Sequence, residues 1–136
     1  RWTRLVGSVP VPGDGIVVQL DPAGSFHGIA RTAHGLAPLP SATLGTAAVR
    51  SLAGARLDTW LAPSLRDDAT IASIAQAWVV PNDTFGDPIP AGSPGLLRLA
   101  WVVRVATSGS LADSLGGLEL AFDAGTGVPL GGDVLE

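Results

Sequence analysis

Glycine and proline interrupt this chain at short, irregular intervals, and that punctuation limits its architecture more than any other feature. The 18 glycines and 11 prolines fall between apolar runs without a fixed period. A collagen helix would need a strict repeat and a helical bundle would need long uninterrupted segments, so short strands joined by many turns are expected to dominate. Apolar residues make up 46% of the 136 positions and charged ones only 15%. Such a chain has enough apolar surface to fold around a sizeable core and too little charge to remain disordered.

The apolar runs give the strands. Trp2 to Val6, Ile16 to Leu20 and Phe26 to Ala30 read as three of them. Asp21-Pro22-Ala23-Gly24 supplies a fixed φ and then a free one, so the second and third strands are expected to pair as a hairpin. Ile16, Val18 and Leu20 would share one face and Val17 and Gln19 the other, predicting a sheet with one buried and one mixed face. After the link "LAPLP" the period changes. Leu44, Ala47, Ala48, Leu52 and Ala55 are spaced as the apolar stripe of one helix of about three turns, with Thr43 or Ser41 as its cap and Gly54 as its end. "RLDTWLAPSLRDDAT" reads as a loop holding a short helical piece. Strands resume in "SIAQAWVVP", and a turn-rich segment "NDTFGDPIPAGSPG" separates them from "LLRLAWVVRVAT". There Leu97, Leu99, Trp101 and Val103 alternate with Arg98, Ala100, Val102 and Arg104. In the closing hairpin "LELAFDAGTGVPL", Asp123 is placed to accept amide hydrogen bonds, and Gly125 and Gly127 to take positive φ. The expected class is α+β, with one main helix cradled in curved antiparallel sheet.

Chemistry is sparse. All 8 basic residues are arginine, they are scattered, and the net charge is −4, so no patch exists to neutralise a nucleic-acid backbone. There is no cysteine, which removes disulfides, thiolate metal sites and cysteine nucleophiles. No apolar run approaches the ~18 residues of a membrane span. The absence of methionine and the start "RWTRLV" suggest that something has been cut from the front, a loss that could include a signal peptide. His27 and His34 fit no metal-ligand spacing and are expected as ordinary surface or hairpin residues. Asp67 and Asp68 read as a helix start or solvated charge. "GDGIVV" and "GSPGLL" lack the context of a phosphate cradle, and Ser8, Ser25 and Ser108 lack an elbow such as GxSxG. No catalytic, cofactor or metal residue is expected.

Three stretches, in order, resemble the propeptide region of secreted thermolysin-like and fungalysin-like zinc metalloproteases, the paired FTP and PepSY modules. "RWTRLVGSVPVPGDGIVVQLDPAGSF" is similar to the FTP pattern through Val9-Pro10-Val11 and the Asp21 to Gly24 hairpin. Arg4 and Ser8 stand where that pattern often has glutamine and glycine. "TLGTAAVRSLAGA" resembles the helix opening the PepSY half. "LLRLAWVVRVAT" with "LELAFDAGTGVPL" looks like its closing strands, marked by Arg98, Leu99, Ala100 and Trp101 and by Asp123 to Gly127. The resemblance implies an FTP-like β-hairpin module over 1–40 and a cystatin-like PepSY module over 41–136. It implies a secreted, non-enzymatic segment that chaperones and inhibits the catalytic domain of its own precursor, with zinc and calcium held only by that domain. A free-standing secreted or envelope-associated binding module is the alternative; a small strand-rich hydrolase would need a site that the residues do not supply. Arg98 and Arg104 share a strand face and could meet an acidic patch on the partner or simply be solvated. Trp60, Trp78 and Trp101 are candidate anchors, although the alternating strands of Trp78 and Trp101 favour the core.

Overall fold

The structure is a computed structural model that describes residues 1–92 and 95–136; residues 93 and 94, in the turn-rich segment and in "GSPGLL", lie outside the described residues. It is α+β, with two antiparallel sheets. Strands β1 (Trp2–Val6), β2 (Val9–Leu20) and β3 (Phe26–Thr32) form the first in the order β1-β2-β3. Helix α1 (Thr46–Trp60) and the short α2 (Pro63–Arg66) follow. The second sheet has the order β4-β5-β6-β7, from β4 (Ala69–Val79), β5 (Arg98–Thr107), β6 (Gly117–Asp123) and β7 (Pro129–Leu135), with the one-turn α3 (Gly109–Ala112) after β5. Among the described residues no helix is long and apolar enough to cross a membrane.

The helix is present, but it buries a different face from the one its spacing suggested. Val49, Ala53 and Leu57 are fully buried, whereas Ala47, Ala48, Leu52 and Ala55 are exposed. Burying Val49 and Leu57 contributes about 2 kcal/mol each. The helix starts after Gly45 with no side-chain cap, so neither Thr43 nor Ser41 fills that role, and it continues through Gly54 to Trp60. The helical piece expected downstream is α2, with Pro63 in its first turn.

One face of the second sheet receives α1: Val103 and Val105 of β5 and Leu118, Leu120 and Phe122 of β6 pack with Val49, Ala53 and Leu57. Trp78 is buried with Val11 and Leu97, joining β2 to the second sheet. Trp101 is half-buried and donates its Nε1–H to the Leu44 carbonyl at 3.1 Å. Trp60 stays at the surface, its ring 5.1 Å from that of Phe85 and 4.3 Å from the Arg56 guanidinium.

Both signalled turns form. Asp21 accepts from the Ala23 and Ser25 amides at 2.9 Å each. Asp123 accepts from the Gly125 amide at 3.0 Å, the Thr126 amide at 2.9 Å and Arg98 Nη1 at 3.2 Å. Gly127 has φ +75°, but Gly125 has no positive φ; it is needed because a Cβ there would press on Pro40. Asp123→Ala is expected to lower stability by about 1 to 2 kcal/mol by leaving two amides without their acceptor, measured as the shift in the urea midpoint. An unshifted midpoint would show that the turn does not depend on this carboxylate.

A strap ties the two edges of the second sheet together. Three residues beyond β4, Asn82 reaches β7 at the opposite edge, where its side chain donates to the Gly132 carbonyl and accepts from the Gly132 amide, both at 3.1 Å. Its backbone amide donates to the Leu130 carbonyl at 3.0 Å. Beyond it, Phe85 joins the helix-side core and Asp87 pairs with Arg56 of α1.

Candidate functional site

The first sheet departs from expectation most. β2 begins at Val9, well before Ile16, and the face carrying Ile16, Val18 and Leu20 is not buried. Residues directly opposite one another across strands share a face. The register sets Trp2, Ile16 and Arg31 in one row, Val18 beside Ile29, and Leu20 beside Phe26. Trp2, Leu20, Phe26 and Ile29 are each 59 to 67% exposed. Alternation correctly groups these side chains, but nothing among the described residues covers them.

That apolar row ends at a polar cluster. Between Val11 and Gly15 the pairing with β1 slips, since Arg4 faces Val11 while Thr3 faces Gly15. Pro12, Gly13 and Asp14 therefore bulge out of the ladder, as extra residues in one strand must. Gly15 makes this possible: its φ is +151°, and a Cβ there would strike the Trp2 carbonyl. The bulge turns Asp14 inward until it is only 2% exposed, the one buried charged side chain among the described residues.

Asp14 is fully engaged. Its Oδ2 accepts from Arg4 Nη1 at 3.0 Å and from the His34 amide at 2.8 Å, and its Oδ1 pairs with His34 Nδ1. Arg4 Nη1 also donates to the His34 carbonyl at 2.8 Å. Burial alone would push the carboxyl up, but the hydrogen bonds from His34 and Arg4 outweigh it and hold Asp14 below its ordinary value. With Nδ1 tied to the carboxylate, His34 is left with Nε2 for a ligand, and its side chain is 38% exposed. Arg4, His34, Trp2, Ile16, Arg31 and Thr32 line an open groove of about 470 Å³. The groove thus holds the guanidiniums of Arg4 and Arg31, and the one carboxylate beside it, that of Asp14, is already hydrogen-bonded by Arg4 and His34. The corner is suited to hold an anion.

His34 is therefore no ordinary surface residue. Its signal in the sequence was slight: an aspartate between two glycines inside an apolar run, with an arginine ten residues before it and a histidine twenty after. His27 does lie exposed in β3. Among the described residues no group of three or more acidic or histidine side chains is placed to hold a metal ion.

The other singled-out residues lie elsewhere. Val11 is buried at the junction of the sheets, and Pro10 stands at the rim of a shallow hollow of about 660 Å³ on the helix-free face of the second sheet. Small side chains, Ala75, Ala77 and Ala121, make that hollow. Arg98 and Arg104 project on this face, each beside a carboxylate of the chain itself: Arg98 pairs with Asp123 at 3.2 Å and Arg104 with Glu119 at 3.1 Å. Leu99 packs beside Trp78, and Ala100 is buried against Ala121 and Leu130. No family model matches the chain, nor does any curated protein or solved structure.

Proposed function

We propose that this chain is a secreted, non-catalytic propeptide segment of the FTP and PepSY kind, which templates the folding of a zinc metalloprotease domain of its own precursor and inhibits it until cleavage. The observation that carries this reading is the uncovered apolar face of the first sheet. A contiguous row of large apolar side chains left in water marks a surface that meets a partner. The order of parts is compatible with it: a small sheet with an Asp21 to Gly24 hairpin comes first, followed by a helix laid on a four-stranded antiparallel sheet. The three resembling stretches follow the same order.

Energetics favour a tethered partner. Covering Trp2, Leu20, Phe26 and Ile29 would contribute about 1 kcal/mol or somewhat more for each, as they are already part-shielded. Association from free solution costs about 4 to 15 kcal/mol, so this row alone supports only weak binding between separate molecules. Within one chain a short linker supplies an effective concentration near the millimolar range, enough for such a face to act. A template that binds the native-like domain stabilises it by mass action, and the same contact can block substrate.

The test is to add the purified chain to an active thermolysin-like catalytic domain and titrate peptidase activity, and in parallel to follow refolding of that domain after denaturation. Dose-dependent inhibition or faster recovery of activity is expected. If neither occurs at millimolar chain, the propeptide reading fails.

A further inference from the structure

The apolar row and the cationic corner are continuous, since Trp2, Ile16 and Arg31 belong to both. The two features therefore describe one ligand. Arg31 makes no ion pair among the described residues. Asp14 offers it little competition, because its oxygens already serve Arg4 and His34. The chain as a whole carries a net charge of −4, so a corner with two arginines is a local reversal of sign. A phosphate or other small ion could use the guanidinium, but it would leave Trp2, Val18, Leu20, Phe26 and Ile29 in water. A protein segment with apolar side chains leading to a carboxylate uses both.

We propose that this corner recognises one acidic side chain on an otherwise apolar partner surface, with the Arg31 guanidinium receiving the carboxylate beside the His34 ring and the β2–β3 face seating its apolar neighbours. The proposal rests on the partner-binding reading above and specifies the chemistry of its contact. The carboxylate sets the register of docking, because charge-assisted hydrogen bonds to a guanidinium are directional while the apolar row is not. Lysine would be a poorer substitute for Arg31, since it lacks the planar fork.

The test is independent of any protease. The chain, labelled with ¹⁵N on the arginine guanidinium and histidine ring, is titrated with an acetylated, amidated peptide of alternating leucine and serine ending in glutamate, and with the same peptide ending in glutamine. The glutamate peptide is expected to shift the Arg31 Nε and His34 ring signals and to bind roughly tenfold more tightly than the glutamine peptide, the worth of one charge-assisted contact. Arg31→Gln, at an exposed position of β3, is expected to abolish that preference, and Arg31→Lys to restore part of it. Arg50→Gln, an exposed arginine on α1, is the control and should change nothing. Equal binding of the two peptides, or shifts at other sites only, would overturn the proposal. So would inorganic phosphate reproducing the shifts at the peptide's own concentration, which would make the corner a plain anion site. Peptide preference without protease inhibition would retain this contact and reject the propeptide reading; inhibition with no preference would do the reverse.

Discussion

Asp14→Ala is expected to lower the stability of the first sheet by about 3 kcal/mol. Removing one partner of a buried ion pair typically costs about 3 to 5 kcal/mol, because the other partner is left without compensation. Here the value falls at the low end, since the Arg4 and His34 side chains are 33% and 38% exposed and water can reach them in the variant. The His34 amide has no such relief. Three contacts disappear together, and they are the ones that bind β1 and the segment after β3 to the bulge of β2. Amide exchange in β1 should accelerate at least a hundredfold, while exchange in β5 and β6 should be little affected. A change in β1 of less than fivefold would mean that the cluster is not what holds this sheet together.

The same group sets an acid limit. Its folded pKa is lowered, so Asp14 contributes stability that is fully present above the ordinary aspartate value of 3.8 and is lost as pH falls through the depressed one. Wild type should therefore destabilise across that window more steeply than Asp14→Ala, and the two unfolding curves should converge as the pH falls. Parallel curves would exclude Asp14 as a source of the slope.

Gly131→Ala is expected to destabilise the second sheet by about 3 to 4 kcal/mol. Gly131 has φ +90°, which strains any other residue, and a Cβ there would overlap both the side-chain oxygen and the carbonyl of Asn82. The backbone conformation alone costs about 1 to 2 kcal/mol. Displacing Asn82 then releases the Gly132 pair and the Thr84 amide, which also bonds to Asn82 Oδ1 at 3.1 Å, at about 1 kcal/mol each or less. Asn82→Ala loses only the hydrogen bonds and should cost about 2 kcal/mol. The double variant should fall short of the sum, because the two share the same contacts. Additivity within 0.3 kcal/mol would show that the glycine acts through its backbone conformation alone.

What the sequence disclosed and what it hid have physical reasons. Turns were readable because Asp21 and Asp123 act on amides two to four residues away, so the whole device lies within a few letters. Strands β5 and β6 were readable from alternation, whereas β7, with Gly131 and Gly132 in its middle, carries no such pattern beyond Leu130. The buried face of α1 was not, since this helix carries two apolar stripes. Val49, Ala53 and Leu57 prevail over Ala47, Leu52 and Ala55 because the receiving surface is Val103, Val105 and Leu118, far along the chain. Alternation in β2 likewise shows which side chains share a face but not whether anything lies over it. The Asp14 cluster required a bulge, which sequence spacing does not announce. The ion pairs of Arg98 and Arg104 were hidden because their carboxylate partners, Asp123 and Glu119, are brought alongside only by the register of β5, β6 and the closing turn.

The junction at Val11 bears on the order in which a ribosome delivers this molecule. All the strand-pairing partners of β1, β2 and β3 lie within residues 2–32, so this sheet can pair almost as soon as it leaves the exit tunnel, on a timescale of microseconds against the tenth of a second or so needed to add each residue. Small sheets without a covered face are only marginally stable, however, and Val11 finds its cover in Trp78 and Leu97. The early sheet therefore flickers until β4 and the start of β5 have been synthesised. Its apolar face becomes a lasting surface only then, which makes any fragment ending before Leu97 a poor substitute for the longer chain.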